Sequence, residues 1–288
     1  MTRLHYAVYV AEGIPTTVTD LPPDLDRRMW SPTSATLITG ERDAVLVDPL
    51  FTSAQVEALR GWITASGKNL TAVYITHGHP DHWLGLGAIL DEFRGARAFA
   101  VPSVITQMRA QSEPEALAKL WESRFPGQLA AEIAIADPVP DDGLHLEGHE
   151  LVPIEVGHTD SDDTTCLHVP AIGLVVAGDA VYNNVHLYLA GSDADGRRAW
   201  LRALDQIEQL HPRAVVAGHK DPSADDAPRT VAETRDYIHD FEAGIAATST
   251  ALELYDYMTE RYPARINRGA LWGSARAAKP SPVSRRMR

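Results

Sequence analysis

The stretch Thr76–Gly85, THGHPDHWLG, sets His77, His79, Asp81 and His82 within six positions of a chain that has 12 histidines in all. A surface loop without a task has no need of three imidazoles, whereas neutral imidazole is the commonest protein ligand for a transition metal and carboxylate a frequent companion. Further candidates follow apolar runs. AVYIT precedes His77, VPIEVG precedes His158, GLVVAG precedes Asp179 and AVVAG precedes His219. Each run reads as a buried strand that ends in Thr or Gly and then an imidazole or carboxylate. Strand ends hold a side chain firmly, and glycine lets neighbouring backbone approach closely. One such ending is ordinary. Four of them, with the dense cluster, point to a metal centre on one edge of a sheet.

The elements that must position these residues alternate along the chain. HYAVYV (5–10) is predicted to be a strand. Ser34–Leu50 reads as a hairpin about Gly40, Glu41 and Arg42. SAQVEALRGWITASG has helical spacing of Val56, Leu59 and Ile63, LTAVYIT is a buried strand, and LGLGAILDEF continues as a helix. Ser103–Phe125 is predicted to form two helices broken near Pro114, and four short strands are expected between Leu144 and Ala177. SDADGRRAWLRALDQIEQL is a helix with Ser192 or Asp193 as its N-cap. RAVVAG is a further strand, and Pro228–Met258 is helical. No fixed-period repeat or Gly/Ser linker divides the chain, so one domain over 1–260 is expected, followed by a basic tail, 261–288.

Composition narrows the chemistry. With 44% hydrophobic and 23% charged residues, the chain has the make-up of a soluble globular protein. Cys166 is its single cysteine, which leaves no intrachain disulfide and no thiolate zinc site. The opening segment MTRLHYAVYVAEGIPTT lacks the apolar core of a secretory signal and no run suits a bilayer, so the cytoplasm is the expected location, with no membrane partner. The net charge of −13 is uneven: the last 28 residues carry +8, which leaves −21 on the rest. An acidic body argues against nucleic acid as a partner. The basic tail is expected to be solvated, or to lie against an acidic surface of the same body or of a second copy in a homodimer.

HGHPDH, then Gly157-His158-Thr159, then Gly178-Asp179, then Gly218-His219 resembles the metallo-β-lactamase superfamily, over roughly Ser34 to Lys220. The resemblance implies a four-layer αββα sandwich with extra helices at the C-terminus. It also implies two divalent ions. His77, His79 and His158 would hold the first, Asp81, His82 and His219 the second, and Asp179 would bridge them. The ligand types suit zinc and admit iron or manganese. Two such ions lower the pKa of a shared water and clamp a developing oxyanion, so the implied activity is attack of a metal-bound hydroxide on an ester, lactone or thioester carbonyl, with Asp81 part of the catalytic site. Lactonases of this superfamily carry a tyrosine three residues after the bridging aspartate. Tyr182 stands there, as a donor to the substrate carbonyl or oxyanion, the alternative being packing at the rim.

The remaining candidates have weaker claims. Asp48, ending AVLVD, matches a position where the superfamily commonly has an aspartate, as an orienter of a ligand histidine or as a plain turn residue. Asp160–Thr165 (DSDDTT) either supports the site by hydrogen bonds or is a solvated turn. Cys166 belongs in the core. His186 is a lesser candidate for the pocket. Met29, Trp30, Met108, Leu117, Trp121 and Phe125 either wall an apolar pocket, which predicts a small-molecule substrate with an apolar portion, or are ordinary packing. Within the superfamily an iron sulfur dioxygenase and a phosphodiesterase are the rival readings. Asp179 relegates antibiotic hydrolysis to a side activity, because true β-lactamases normally lack the bridging aspartate.

Overall fold

A computed structural model describes residues 3–280. The expected hairpin forms from β2 (Thr33–Thr39) and β3 (Asp43–Val47), with β1 (His5–Ala11) paired antiparallel to β2. Strands β4 (Asn69–Tyr74), β5 (Arg97–Ala100) and β6 (Asp137–Pro138) follow β3 in parallel. On the other side of β2 lie β11 (Ala214–Lys220), β10 (Leu174–Asn183), β9 (Thr164–Val169), β8 (His149–Gly157) and β7 (Leu144–Leu146). The four strands expected between Leu144 and Ala177 are β7 to β10.

The sheet folds over on itself. Leu4, Ile38, Val45, Val47 and Tyr74 from one half meet Leu144, Leu151, Leu167, Val176 and Val216 from the other in a core between the two halves. Helices close the outer faces. On one side are α1 (Ser53–Ala65), α2 (Leu86–Glu92), α3 (Pro102–Ser112) and the short α4 (Pro114–Ala116), which runs on as a wide turn to Glu122. On the other are α5 (Ala194–Gln209), α6 (Arg229–Ala247), α7 (Ala251–Arg261) and α8 (Arg268–Ala278). The result is the expected four-layer αββα arrangement. Local signals agree with it. The Asp193 side chain caps α5 by accepting from Gly196 N, and Thr52 with Gln55 forms a capping box on α1, each cap worth about 1 kcal/mol.

The basic C-terminal segment does not behave as a tail through its first half. Leu271 and Ala275 of α8 are buried against the body, and Arg268 and Arg276 pair with Asp24 and Asp20 of the same chain. That is the acidic surface for which the charge asymmetry called. Residues 281–288 lie outside the described residues.

Strand direction decides where the site sits. β2 is antiparallel to both β3 and β11, β10 is parallel to β11, and β9 is antiparallel to both β10 and β8. It follows that β3, β4, β8, β10 and β11 all run the same way. Their C-terminal ends, which carry Asp48, His77, the 158–163 loop, Asp179 and His219, therefore share one edge.

Candidate metal centre

Six of the seven residues singled out as ligands converge. Asp81, His82 and His219 present ligand atoms within 4.8 Å of one another, and so do His77, His79 and Asp179. His82 Nε2 lies 3.2 Å from Asp179 Oδ1, and His219 Nε2 lies 3.2 Å from Asp179 Oδ2 and 3.4 Å from Asp81 Oδ2. Asp179 thus sits between the two groups.

Backbone geometry aims these side chains. The β10–β11 pairing shifts register on both sides of Gly178, which turns Asp179 into the cluster. Gly178 has φ +51°, and a Cβ there would stand 2.6 Å from Thr76 Oγ1. A Cβ on Gly218 would stand 2.0 Å from Asp179 Oδ1. Glycine before Asp179 and before His219 is therefore a steric requirement of the site.

Three of the imidazoles are steered from behind. His219 Nδ1 donates to Pro32 O at 3.0 Å. His77 Nδ1 lies 2.9 Å from Thr76 Oγ1, which donates onward to Asp48 Oδ2 at 2.7 Å. The same Asp48 oxygen is 3.3 Å from His82 Nδ1, and Asp48 Oδ1 accepts from Thr76 N. Hydrogen bonds of this kind fix the tautomer and leave the opposite nitrogen free for an ion. Asp48 is therefore the orienting residue the sequence offered, serving two imidazoles from a left-handed backbone at φ +59°.

The residues fit a pair of cations. Nε2 of His77, Nε2 of His82 and Oδ1 of Asp179 are fully buried without a hydrogen-bond partner. Such an orphan costs about 1–3 kcal/mol unless something takes its lone pair. Asp48, Asp81, Asp160 and Asp179 are all buried at this edge, and buried carboxylates are paired or bind metal. The imidazoles respond to that charge. Burial alone would push His79 down, yet the Asp160 carboxylate carries it up to about 9. Burial likewise opposes, and Asp179 outweighs it, at His219, which rises to about 10. His77 goes the other way, pushed by burial and then by His82 down to about 4.

His158 is the exception: the structure does not bring it to the other six. Its Nδ1 is 2.6 Å from Asp162 Oδ1 and its Nε2 is 2.9 Å from Ser192 Oγ. Both ring nitrogens are engaged, and the ring lies in a different depression, over Gly196. The turn after Gly157 (φ +84°) sends His158 away from the edge and returns Asp160 to it. Asp160 Oδ2 lies 3.0 Å from His79 Nδ1, and Asp160 forms a group with His77, His79 and Asp179.

A cavity of about 220 Å³ opens on the cluster. Met29, Trp30 and Trp121 line it, as the apolar-wall reading expected, and Leu120 joins them. Met108 and Phe125 do not. Both are buried in the helix-side core, where Phe125 packs edge-on to Phe51 at 5.0 Å, and Leu117 packs against the same core. Tyr182 is 1% exposed and donates to Asp179 Oδ2 at 3.0 Å, which places its hydroxyl at the centre rather than the rim. His186 does not reach the cavity; it is buried against Tyr237. Cys166 is core. Arg28 and Arg124 line the outer wall, and among the described residues neither forms an ion pair within 4 Å.

A fold of this topology, with His and Asp ligands gathered at one sheet edge, defines a metal-site protein of the αββα class. The family model of the metallo-beta-lactamase superfamily matches residues 28–219, and the chain belongs to that superfamily. It is 26% identical to a metallo-beta-lactamase type 2 of Bacteroides fragilis over 194 residues, 66% of this chain and 70% of that one. Among solved structures, a metallo-beta-lactamase family protein from Thermus thermophilus is similar at TM-score 0.63 and 22% identity, covering 94% of this chain and 91% of that one. A metallo-beta-lactamase from Pontibacter korlensis is similar at TM-score 0.60 and 15% identity, covering 83% and 100%. At those identities the structural likeness speaks for the fold alone.

Proposed function

We propose that the chain is a dinuclear metal-dependent hydrolase that opens an ester, lactone or thioester carbonyl. The observation that carries the reading is the placing of the Tyr182 hydroxyl, 3.0 Å from the central Asp179, on the wall of a cavity that opens onto the buried ligand atoms. When bound, two divalent ions, zinc in the first instance, would activate water and polarise the carbonyl. Asp81, His82 and His219 would hold one of them, His77 and His79 the other, with Asp179 between. The chain's own task is to orient these groups through Asp48, Thr76 and Pro32, to exclude bulk water, and to present the Tyr182 phenol to the carbonyl oxygen. Burial, and then the Asp179 charge, push that phenol well above its ordinary pKa, so it stays a donor at any working pH.

Trp30, Trp121 and Leu120 suit an apolar substrate portion, and Arg28 and Arg124 suit an anionic substituent near the mouth. The acidic body disfavours nucleic acid as a partner, and the reading takes the cytoplasm as the location; no helix among the described residues is long and apolar enough to cross a membrane. The test is a screen of purified, metal-replete protein against lactones, aryl esters, glutathione thioesters and a β-lactam, with elemental analysis alongside. About two zinc-type ions per chain, and carbonyl hydrolysis that chelation abolishes and metal restores, are expected. A chain that keeps a single iron and hydrolyses none of the panel sinks the reading.

A further inference from the structure

The loop between β8 and β9 makes an exchange. Its six residues, HTDSDD, offer two candidate ligands, His158 and Asp160, and only one of them faces the other ligands. Asp160 is 2% exposed at its side chain, and its Oδ2 is 3.0 Å from His79 Nδ1. Its Oδ1 accepts from Thr159 Oγ1 at 3.3 Å, while the Tyr182 hydroxyl stands 3.5 Å from Oδ2. A buried carboxylate with Asp81 and Asp179 as neighbours repels both of them. It is tolerable where a cation is shared.

His158 is held elsewhere from both sides. Asp162 takes Nδ1, and Ser192 meets Nε2 and also donates to Thr159 O at 2.7 Å. Gly196 at the start of α5 leaves the room for the ring, since a Cβ there would stand 2.6 Å from His158 Nε2. The main chain is fitted too: a Cβ on Gly191 would come within 2.8 Å of Asp160 O. The imidazole thus works as a clasp between the loop and the segment leading into α5.

Given the dinuclear reading above, on which this rests, we propose that Asp160 and not His158 completes the first ion's site with His77, His79 and Asp179. His158 instead fastens the loop that presents Asp160. The pair of ions then meets three carboxylates, Asp81, Asp160 and Asp179, where a His158 ligand would leave two. An additional hard oxygen donor shifts the first site toward manganese or ferrous iron relative to a set with a third imidazole in its place.

The test strips the full chain with chelator, reloads it with saturating Zn²⁺ or Mn²⁺, removes free metal and counts bound ions by elemental analysis. Thermal melts of the metal-free variants check that each folds. Two ions in the wild type, two in His158→Gln and one in Asp160→Asn are expected. Asp160→His keeps two zinc ions but loses affinity for Mn²⁺ relative to Zn²⁺ by about tenfold or more. Loss of an ion from a folded His158→Gln overturns the proposal, and so does full occupancy in Asp160→Asn. If Asp160 only steadied His79, its removal would weaken binding by about 10–100-fold without changing the count at saturation. A wild type that binds less than one ion sinks the dinuclear reading itself, a separate outcome.

Discussion

Trp30 Nε1 donates a 3.0 Å hydrogen bond to Asp81 Oδ2, the oxygen that also lies 3.4 Å from His219 Nε2. The indole is held in turn by Trp121 and Phe125, at ring separations of 5.3 and 5.5 Å. Trp30 thus ties the apolar wall of the cavity to a ligand carboxylate. Trp30→Phe keeps a ring in that cluster and removes the donor. Affinity for the second ion is expected to fall by about 10–100-fold, the usual cost of losing a ligand's supporting partner, with little change in melting temperature. A chelator-competition titration measures it, and an unchanged affinity removes Trp30 from the site.

Asp48 gives a sharper case because its backbone and its side chain can be separated. At φ +59° the residue sits where Asn and Asp are tolerated and β-branched residues are strained. Asp48→Asn is expected to preserve the fold and to cut metal affinity about 10–100-fold, since Thr76 and His82 lose their charged acceptor. Asp48→Val adds a backbone penalty of about 1–2 kcal/mol and melts earlier than the Asn variant. Equal melting temperatures for the two would show that the turn carries no strain.

Tyr182→Phe keeps the packing against Trp200, at 6.0 Å, and deletes only the hydroxyl. A donor aimed at the carbonyl oxygen strengthens its bond as charge develops there, so its loss falls on the transition state. A drop in kcat of roughly ten- to a thousandfold is expected, at unchanged metal content. Steady-state kinetics on the best substrate of the screen decide the matter, because an unaltered kcat leaves Tyr182 as a support for Asp179 alone.

The site's edge was legible because its signals are local: apolar run, glycine, ligand, repeated along the chain. What escaped was conformational. GHT announces His158, and nothing in the letters says that the turn after Gly157 points that ring at Ser192, 34 residues on, and returns Asp160 instead. The acid-rich DSDD was the available hint. Trp30 was visible as a hydrophobe, while its bond to Asp81 depends on packing across 51 residues. Strands β5 and β6 were missed because four and two residues carry too little pattern. Helix α8 was hidden by its basic, small-residue composition; burial of Leu271 and Ala275 against the body holds it, with Arg268 and Arg276 paired to Asp24 and Asp20 far away in the chain.

His186 supplies one separable part of the pH dependence of folding. Its Nδ1 lies 2.9 Å from the Tyr237 hydroxyl, its Nε2 is buried without a partner, and burial, then the Arg265 and Arg268 charges, hold its pKa down at about 3 against an ordinary 6.5. Below pH 6.5 the unfolded chain takes up a proton that the folded chain refuses. The stability tied to His186 is therefore complete above pH 6.5 and drains away as pH falls toward 3, by at most about 1.4 kcal/mol per pH unit. His186→Gln removes the titration and keeps a polar group beside Tyr237. Urea unfolding of both chains, metal-free so that ion loss does not contribute, should show the wild type losing about 1–2 kcal/mol more than the variant between pH 7.5 and 5. The carboxylates and the other histidines titrate alike in both, so they cancel in the difference. Parallel pH profiles would mean that water reaches His186 and lets it protonate in the folded state.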